Sequence, residues 1–155
     1  MKRVSQELFV GPGIWAPDVA RLRRAGISAI LSLQEPGADI LPAAQAAIRG
    51  ACAAPPAIAY RNVAIRDYDP RDLIDKLPAA LDALRRLDAD GHCTYVHCCE
   101  GVNRAPSVAL GFLVLVRALA IEEALARLRA AHPDARPYDE FVAWLRAQPG
   151  DGAAS

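Results

Sequence analysis

The residues with the clearest chemical potential lie in one short stretch, where five residues separate Cys98 from Arg104. A thiol attacks as the thiolate, and cysteines near helix N-termini ionise more readily than free cysteine. A guanidinium is planar and can hold two oxygens of a phosphate at once. A nucleophile and a fixed cation at this spacing predict a site for phosphoryl transfer.

The residues that follow Cys98 are expected to form the loop that holds the phosphate. Tyr95 and Val96 end a β-type run, and Pro106 suits the first position of a helix. A loop that leads into a helix presents backbone N–H groups and the positive end of the helix dipole to an anion. We therefore assign phosphate binding to Cys99, Glu100, Gly101, Val102, Asn103 and Arg104.

Two residues of this stretch are expected to shape the loop. Gly101 permits backbone geometry that a side chain would obstruct. His97 precedes the nucleophile, and we expect it to hold the loop by hydrogen bonds and not to transfer protons. A cysteine alone is most often a small buried hydrophobe. The β-run, the loop glycine and the long apolar helix together favour a catalytic interpretation of Cys98.

Strand and helix patterns alternate around this stretch. Strands are predicted over residues 4–10, 27–33, 57–65 and 93–97. Helices are predicted from 16–18 to Gly26, over 42–52, from Asp72 to about Gly91, and over 106–119, 122–131 and 138–147. This alternation predicts an α/β sandwich with a mostly parallel central sheet flanked by helices. The phosphate loop would then lie at the carboxyl end of its strand, where such sheets bind ligands.

The length and charge of the chain limit its function further. A chain of 155 residues predicts a single domain, which we place at 1–148, with a disordered tail at 149–155. The formal net charge is zero, which argues against nucleic acid or acidic membranes as partners. No apolar run is long enough to span a bilayer, and no signal peptide is expected.

The cysteine count predicts the compartment and argues against a metal. The four cysteines show neither metal-ligand spacing nor the density of a secreted disulfide scaffold. A reducing compartment, and hence a cytoplasmic protein, is the simplest expectation. We expect no metal and no cofactor, and a monomer in the absence of any sign of assembly.

The stretch from His97 to Ser107 resembles the phosphate loop of the cysteine-dependent protein tyrosine phosphatase superfamily, specifically its small dual-specificity branch. Residues 30–34, 95–98 and 101–110 further resemble conserved blocks of plant-type glucan phosphatases. The resemblance implies a dual-specificity-phosphatase-like fold and hydrolysis of phosphate monoesters through a phosphocysteine at Cys98. The implied substrates are proteins phosphorylated on tyrosine, serine or threonine, and also phosphoglucan.

Phosphatases of this branch take the acid for the leaving oxygen from an upstream aspartate. The segment 66–72 offers Asp67, Asp69 and Asp72, of which Asp72 is expected to be the N-cap of the next helix. Asp67 follows its strand directly, and Arg-Asp-aromatic-Asp resembles the acid loop of glucan phosphatases, where the first aspartate acts. We favour Asp67 as the general acid and keep Asp69 as the alternative.

The loop departs from the superfamily pattern at several positions, which keeps other functions open. Ala105 stands where most members have a Ser or Thr that assists release of the thiolate. This departure leaves a phosphate-binding pseudophosphatase as an alternative. Asn103 also occurs in the RNA 5′-phosphatase branch, although the neutral net charge disfavours RNA. Glu100 would repel phosphoinositides, and a sulfur-transfer or redox protein using Cys98 and Cys99 would leave Arg104 unexplained.

Aromatic residues near the loop bear on the substrate, because sugar rings stack on aromatic faces. Tyr68 follows the favoured acid and is expected to be exposed at the mouth of the site. Trp15 and Tyr60 are further candidates for the rim. Tyr138 and Trp144 have the helical spacing of a core face, so we expect them to be structural.

Overall fold

In the computed structural model, residues 1–37 and 42–148 are described, and the tail predicted at 149–155 lies outside these described residues. The strands of the described part are β1 (Lys2–Arg3), β2 (Leu8–Pro12), β3 (Ala29–Ser32), β4 (Ala59–Asn62) and β5 (Thr94–Cys98). They form one sheet in the order β1-β2-β5-β3-β4. β1 is antiparallel to β2, and the other neighbours are parallel, which confirms the predicted mostly parallel sheet.

Helices cover both faces of this sheet. The α-helices of the described residues are α1 (Val19–Arg24), α2 (Pro42–Ala53), α3 (Pro70–Ala89), α4 (Arg104–Leu115), α5 (Ile121–Ala131) and α6 (Asp139–Arg146). Helices α3 to α6 contribute to one hydrophobic cluster, and α1 and α2 contribute to a second cluster. The architecture is therefore the predicted α/β sandwich.

Side chains that alternate along the central strands supply both clusters. Val10 and Leu31 lie in register with Val96 and belong to the cluster of α3 to α6. Phe9 and Ile30 lie in register with Tyr95, and all three belong to the cluster of α1 and α2. A sheet that is buried on both faces needs apolar residues at consecutive positions, and this explains the continuous apolar runs of the sequence.

The first strand differs from its prediction. Residues 4–7 form a turn, in which the Val4 N–H donates to the Leu8 carbonyl at 2.9 Å, and β2 continues through Pro12. Gly11 lies within this strand, in parallel register with His97, and a Cβ at that position would meet the Tyr95 hydroxyl at 2.6 Å. The glycine therefore permits close packing within the sheet and does not end the strand. The strand predicted over 57–65 is also shorter, at Ala59–Asn62.

Two predicted helix starts also need correction. The N-cap of α3 is Asp69 and not Asp72, since the Asp69 carboxylate accepts the Asp72 N–H at 2.9 Å. Pro70 fits the first helical position because it has no N–H to leave unpaired. Helix α4 begins at Arg104, two residues before the predicted start. Pro106 then lies in the first turn, where helical N–H groups have no intrahelical acceptor in any case.

Helix α4 fixes the position of the phosphate loop. Its residues from Arg104 to Leu113 are all buried, and the helix packs against α3 and α5 and against strands β2 and β5. Strand β5, which precedes the loop, is buried along its whole length. The loop is therefore held between two rigid core elements. Among the described residues, no helix is long and apolar enough to cross a membrane.

Candidate active site

The predicted nucleophile and cation lie at the two ends of the phosphate loop. Cys98 is the last residue of β5 and is 3% exposed, and Arg104 is the first residue of α4. Between them, Cys99 and Glu100 are exposed, whereas Gly101 is buried. The loop thus places a thiol in a recess beside a helix N-terminus, and such a recess is suited to an anion.

The end of β2 forms one wall of the loop. The Gly13 N–H donates to the Cys99 carbonyl at 2.9 Å. Gly101 has a φ of +75°, and a Cβ there would overlap the carbonyl carbon of Gly11. The predicted need for glycine at position 101 therefore has two causes, the left-handed backbone and the closeness of the neighbouring chain.

The segment between α5 and α6 forms the opposite wall. The His132 ring Nε2 lies 2.9 Å from the Gly101 carbonyl oxygen. The Arg136 N–H donates to the Val102 carbonyl at 2.7 Å, and the Asn103 amide donates to the Arg136 carbonyl at 2.8 Å. Sequence reasoning missed His132 and Arg136, because neither residue stands in a recognisable motif.

Arg104 is the most constrained side chain of the site, since its side chain is 0% exposed. One guanidinium nitrogen donates to the carbonyl of Ile65 at 2.8 Å and approaches that of Leu33 at 3.4 Å. The other terminal nitrogen pairs with the carboxylate of Asp67 at 2.9 Å. The guanidinium is therefore held by the ends of two neighbouring strand segments and by the favoured acid.

Two of the three candidate carboxylates stabilise the start of α3 and the segment before it. Asp69 caps α3, as described above. Asp72 is nearly buried and accepts the Arg66 N–H at 2.8 Å and the Lys76 ammonium at 2.9 Å. Burial alone raises the pKa of the Asp72 carboxyl, but these hydrogen bonds outweigh it and hold the pKa below its ordinary value. Asp72 is thus a stable anion that ties the segment 66–72, called the acid loop below, to the first turn of α3.

Asp67 is the carboxylate that faces the phosphate loop. Its side chain is 34% exposed, and Oδ2 contacts Arg104. Its other oxygen, Oδ1, accepts the Tyr138 hydroxyl at 3.3 Å and the Tyr68 N–H at 3.1 Å. Of the three aspartates, Asp67 is thus the one whose side chain pairs with the arginine of the phosphate loop.

His97 is buried below the loop and stacks on Tyr95, with the ring centroids 5.8 Å apart. Burial first, and then the nearby charge of Arg104, lowers the pKa of His97 to about 4. Neither ring nitrogen of His97 has a hydrogen-bond partner among the described residues, so the expectation that His97 holds the loop by hydrogen bonds is wrong. A ring that stays neutral in a closed position is suited to packing and to shaping the loop. It is not placed to exchange protons with a bound phosphate ester.

The fold places the aromatic candidates for the rim in different parts of the structure. Tyr68 is 79% exposed, next to Asp67. Trp144 stacks on Phe141 in the core at 5.9 Å, as its helical spacing predicts. Tyr60 and Trp15 pack against the cluster of α1 and α2, with Tyr60 lining a groove of about 810 Å³ between α2 and β4. Of these four residues, Tyr68 is the one that projects from the acid loop.

Comparison with known proteins agrees with this geometry. The family model for "Dual specificity phosphatase, catalytic domain" matches residues 20–149. Dual specificity protein phosphatase PHS1 of Arabidopsis thaliana is 29% identical over 139 residues, which are 90% of this chain and 14% of the relative. Phosphoglucan phosphatase DSP4 of Castanea sativa is 33% identical over 129 residues, which are 78% of this chain and 33% of the relative.

A solved structure extends the likeness to three dimensions. The crystal structure of human DUSP28 has a TM-score of 0.75 and 26% sequence identity, and the match covers 94% of this chain and 93% of that chain. The chain spans a third or less of the lengths of the two curated relatives named above. The shared region is therefore a catalytic domain.

The close contact between Gly101 and Gly11 predicts that anion binding is sensitive to substitution of Gly101. Gly101→Ala should weaken binding of vanadate, measured by calorimetry, by about a hundredfold, because the Cβ displaces the loop from Gly11. Gly91→Ala is the matched control, since Gly91 has a φ of +80° with open space around it. It should lower the free energy of unfolding by about 1–2 kcal/mol and leave vanadate binding unchanged. Equal vanadate affinities for both variants would contradict the role of the close contact.

Proposed function

Since the chain belongs to the dual specificity phosphatase catalytic-domain family, we propose that it hydrolyses phosphate monoesters through a phosphocysteine intermediate on Cys98. The observation that carries this proposal is the contact of Asp67 with Arg104 at 2.9 Å, at the loop that begins at Cys98. Asp67 thereby lies beside the loop that joins Cys98 to Arg104, although 30 residues separate Asp67 from Cys98 in the sequence.

In the first step, the thiolate of Cys98 attacks phosphorus, and the bond between phosphorus and the ester oxygen breaks. Arg104 and the loop N–H groups stabilise the charge on the three remaining phosphate oxygens. Protonated Asp67 gives its proton to the leaving oxygen, which departs as an alcohol or a phenol. Asp67 is then a carboxylate, and the phosphoryl group is bonded to sulfur.

In the second step, a water molecule attacks the phosphocysteine and gives a proton to the Asp67 carboxylate. The bond between sulfur and phosphorus breaks, inorganic phosphate leaves, and Cys98 returns to the thiolate. Ala105 is buried and has no hydroxyl to donate a hydrogen bond to this departing thiolate. We therefore expect the second step to be slow relative to the first.

Substrate binding must change the partners of Arg104. In the described structure its guanidinium contacts Asp67, and the phosphate of a substrate would compete for the same cation. A dianion within the loop offers more oxygen acceptors than one carboxylate does. Displacement frees Oδ2 of Asp67, which then lies beside the bound phosphate and can approach the leaving oxygen.

For substrates, we propose phosphorylated tyrosine, serine and threonine in proteins, and also phosphoglucan. One relative is named a dual specificity protein phosphatase and another a phosphoglucan phosphatase. Tyr68 supports the second class, because its exposed ring beside the acid can stack on a sugar. A reducing compartment such as the cytoplasm suits the four free thiols.

The nucleophile and the clamp are tested together with p-nitrophenyl phosphate in the presence of a chelator. Cys98→Ser should abolish turnover and retain vanadate binding, since Arg104 and the loop donors remain. Arg104→Lys should be severely impaired, because an ammonium is a point charge and cannot reproduce the planar fork. Turnover close to the wild-type rate in Cys98→Ser would exclude the phosphocysteine mechanism.

The acid is tested by varying the leaving group. Asp67→Asn should slow hydrolysis of an alkyl phosphate such as a phosphoserine peptide by about 10²–10⁴-fold. The effect on p-nitrophenyl phosphate should be smaller, because that leaving group needs less protonation. The alkaline limb of the pH–rate profile should also weaken. Asp69→Asn is the control, because asparagine also caps helices. If the control shows this pattern and Asp67→Asn does not, Asp69 is the acid.

The substrate class is tested at Tyr68. Wild-type protein should release phosphate from a phosphotyrosine peptide and from solubilised amylopectin. Tyr68→Ala should reduce release from amylopectin more than from the peptide, because it removes the exposed ring beside the acid. If the wild type hydrolyses the peptide well but releases nothing from amylopectin, the substrates are limited to phosphoproteins.

A further inference from the structure

Tyr138 connects the acid loop to the helix that follows the phosphate loop. Its hydroxyl lies 3.3 Å from Oδ1 of Asp67 and accepts the Tyr68 N–H at 3.0 Å. Its own N–H donates to the Ser107 hydroxyl oxygen on α4 at 3.3 Å. One residue therefore reaches from α4 to the favoured acid, across 71 positions of sequence.

The backbone of the acid loop has a conformation that needs such support. Tyr68 has a φ of +55°, a left-handed conformation that is unfavourable for a bulky side chain. Such strain persists where the surrounding structure imposes it, and it is concentrated at functional sites. The contacts of the Tyr68 N–H with the Tyr138 hydroxyl and with Asp67 hold the backbone in this conformation.

The two oxygens of Asp67 have different surroundings. Oδ1 receives two hydrogen bonds, from the Tyr138 hydroxyl and from the Tyr68 N–H. Oδ2 contacts Arg104, at the position where a substrate phosphate would bind. An oxygen that already accepts two hydrogen bonds is a poor site for the acid proton. The proton of neutral Asp67 is thereby placed on Oδ2, the oxygen directed at the substrate.

We infer that Tyr138 is a positioning residue for the general acid Asp67. The Tyr138 hydroxyl directs the acidic proton of Asp67 to Oδ2 and holds Tyr68 in its left-handed conformation. This inference rests on the proposed function, since it assumes that Asp67 is the acid. Tyr138 can act only as the neutral phenol, which donates to the carboxylate. Burial first, and then the charge of Asp67, raise the pKa of Tyr138 to about 12, so the phenol keeps its proton at neutral pH.

The contact matters most once substrate is bound. A phosphate on Arg104 removes the ion pair from Asp67, and the hydroxyl of Tyr138 is then the side-chain contact that still orients the carboxyl group. Tyr138 itself is fixed by its position before α6 and by its bond to Ser107 on α4. The acid is thus oriented from the same helix whose N-terminus binds the phosphate.

The test removes the hydroxyl and keeps the ring. Tyr138→Phe should lower kcat for a phosphoserine peptide by about tenfold, with KM nearly unchanged, because the lost hydrogen bond orients a reacting group. The rate of hydrolysis of p-nitrophenyl phosphate should fall by less than about threefold, because this leaving group needs little protonation. Tyr60→Phe is the matched control, because the Tyr60 ring packs on the other face of the sheet. Removal of the Tyr60 hydroxyl should change the rate with neither substrate.

A double variant separates positioning from a general structural effect. In an Asp67→Asn background, Tyr138→Phe should have no further effect on the phosphoserine peptide, because both changes act on one proton transfer. The inference would be overturned if the two variants lowered the rate independently, so that their losses multiplied in the double variant. A loss of vanadate binding in Tyr138→Phe, or an equal loss of rate on both substrates, would also overturn it.

If the wild type hydrolyses neither substrate, the proposed function fails and this inference fails with it. Active wild type with an unchanged Tyr138→Phe overturns the inference alone.

Discussion

The buried charge of Arg104 is the constraint on which the rest of the site depends. A guanidinium with no exposed side-chain area is strongly unfavourable unless anions and hydrogen-bond acceptors surround it. The Ile65 and Leu33 carbonyls and the Asp67 carboxylate provide these acceptors. The end of β3 and the start of the acid loop must therefore converge on α4 before the cation can be stable.

The same requirement explains how the acid loop is built. Its carboxylates divide the tasks: Asp69 caps α3, Asp72 binds Arg66 and Lys76, and Asp67 remains directed at Arg104. Two structural anions thus hold the segment that presents the third. The phosphate loop is supported in the same manner, by Gly13 of one wall and by the segment 132–136 of the other. A recess made rigid in this way is suited to an anion, and the proposed catalysis of phosphate hydrolysis requires such preorganisation.

Features that depend on neighbouring residues could be predicted from the sequence, and features that depend on distant contacts could not. Apolar runs and turn residues placed the sheet and most helices, because periodicity is a local signal. The sequence predicts Asp72 as the N-cap of α3, whereas the structure has Asp69 there, because both are good caps and Pro70 suits the first helical position. The spacing of Tyr138 is that of a core residue. The contact of its hydroxyl with Asp67 depends on the packing of α6 against α3, which the sequence does not reveal. The roles of Cys98, Arg104 and Asp67 remain proposals.

The most direct test of the central claim is isolation of the covalent intermediate. Wild-type protein is mixed with a ³²P-labelled phosphotyrosine peptide and quenched within milliseconds, and the labelled protein fragment is identified by mass spectrometry. We expect a rapid burst of peptide release and label on the fragment that contains Cys98, as a phosphocysteine. The label should accumulate, because Ala105 offers no hydroxyl to the departing thiolate. Label on another residue, or steady turnover with no labelled protein at any time, would contradict a phosphocysteine intermediate on Cys98.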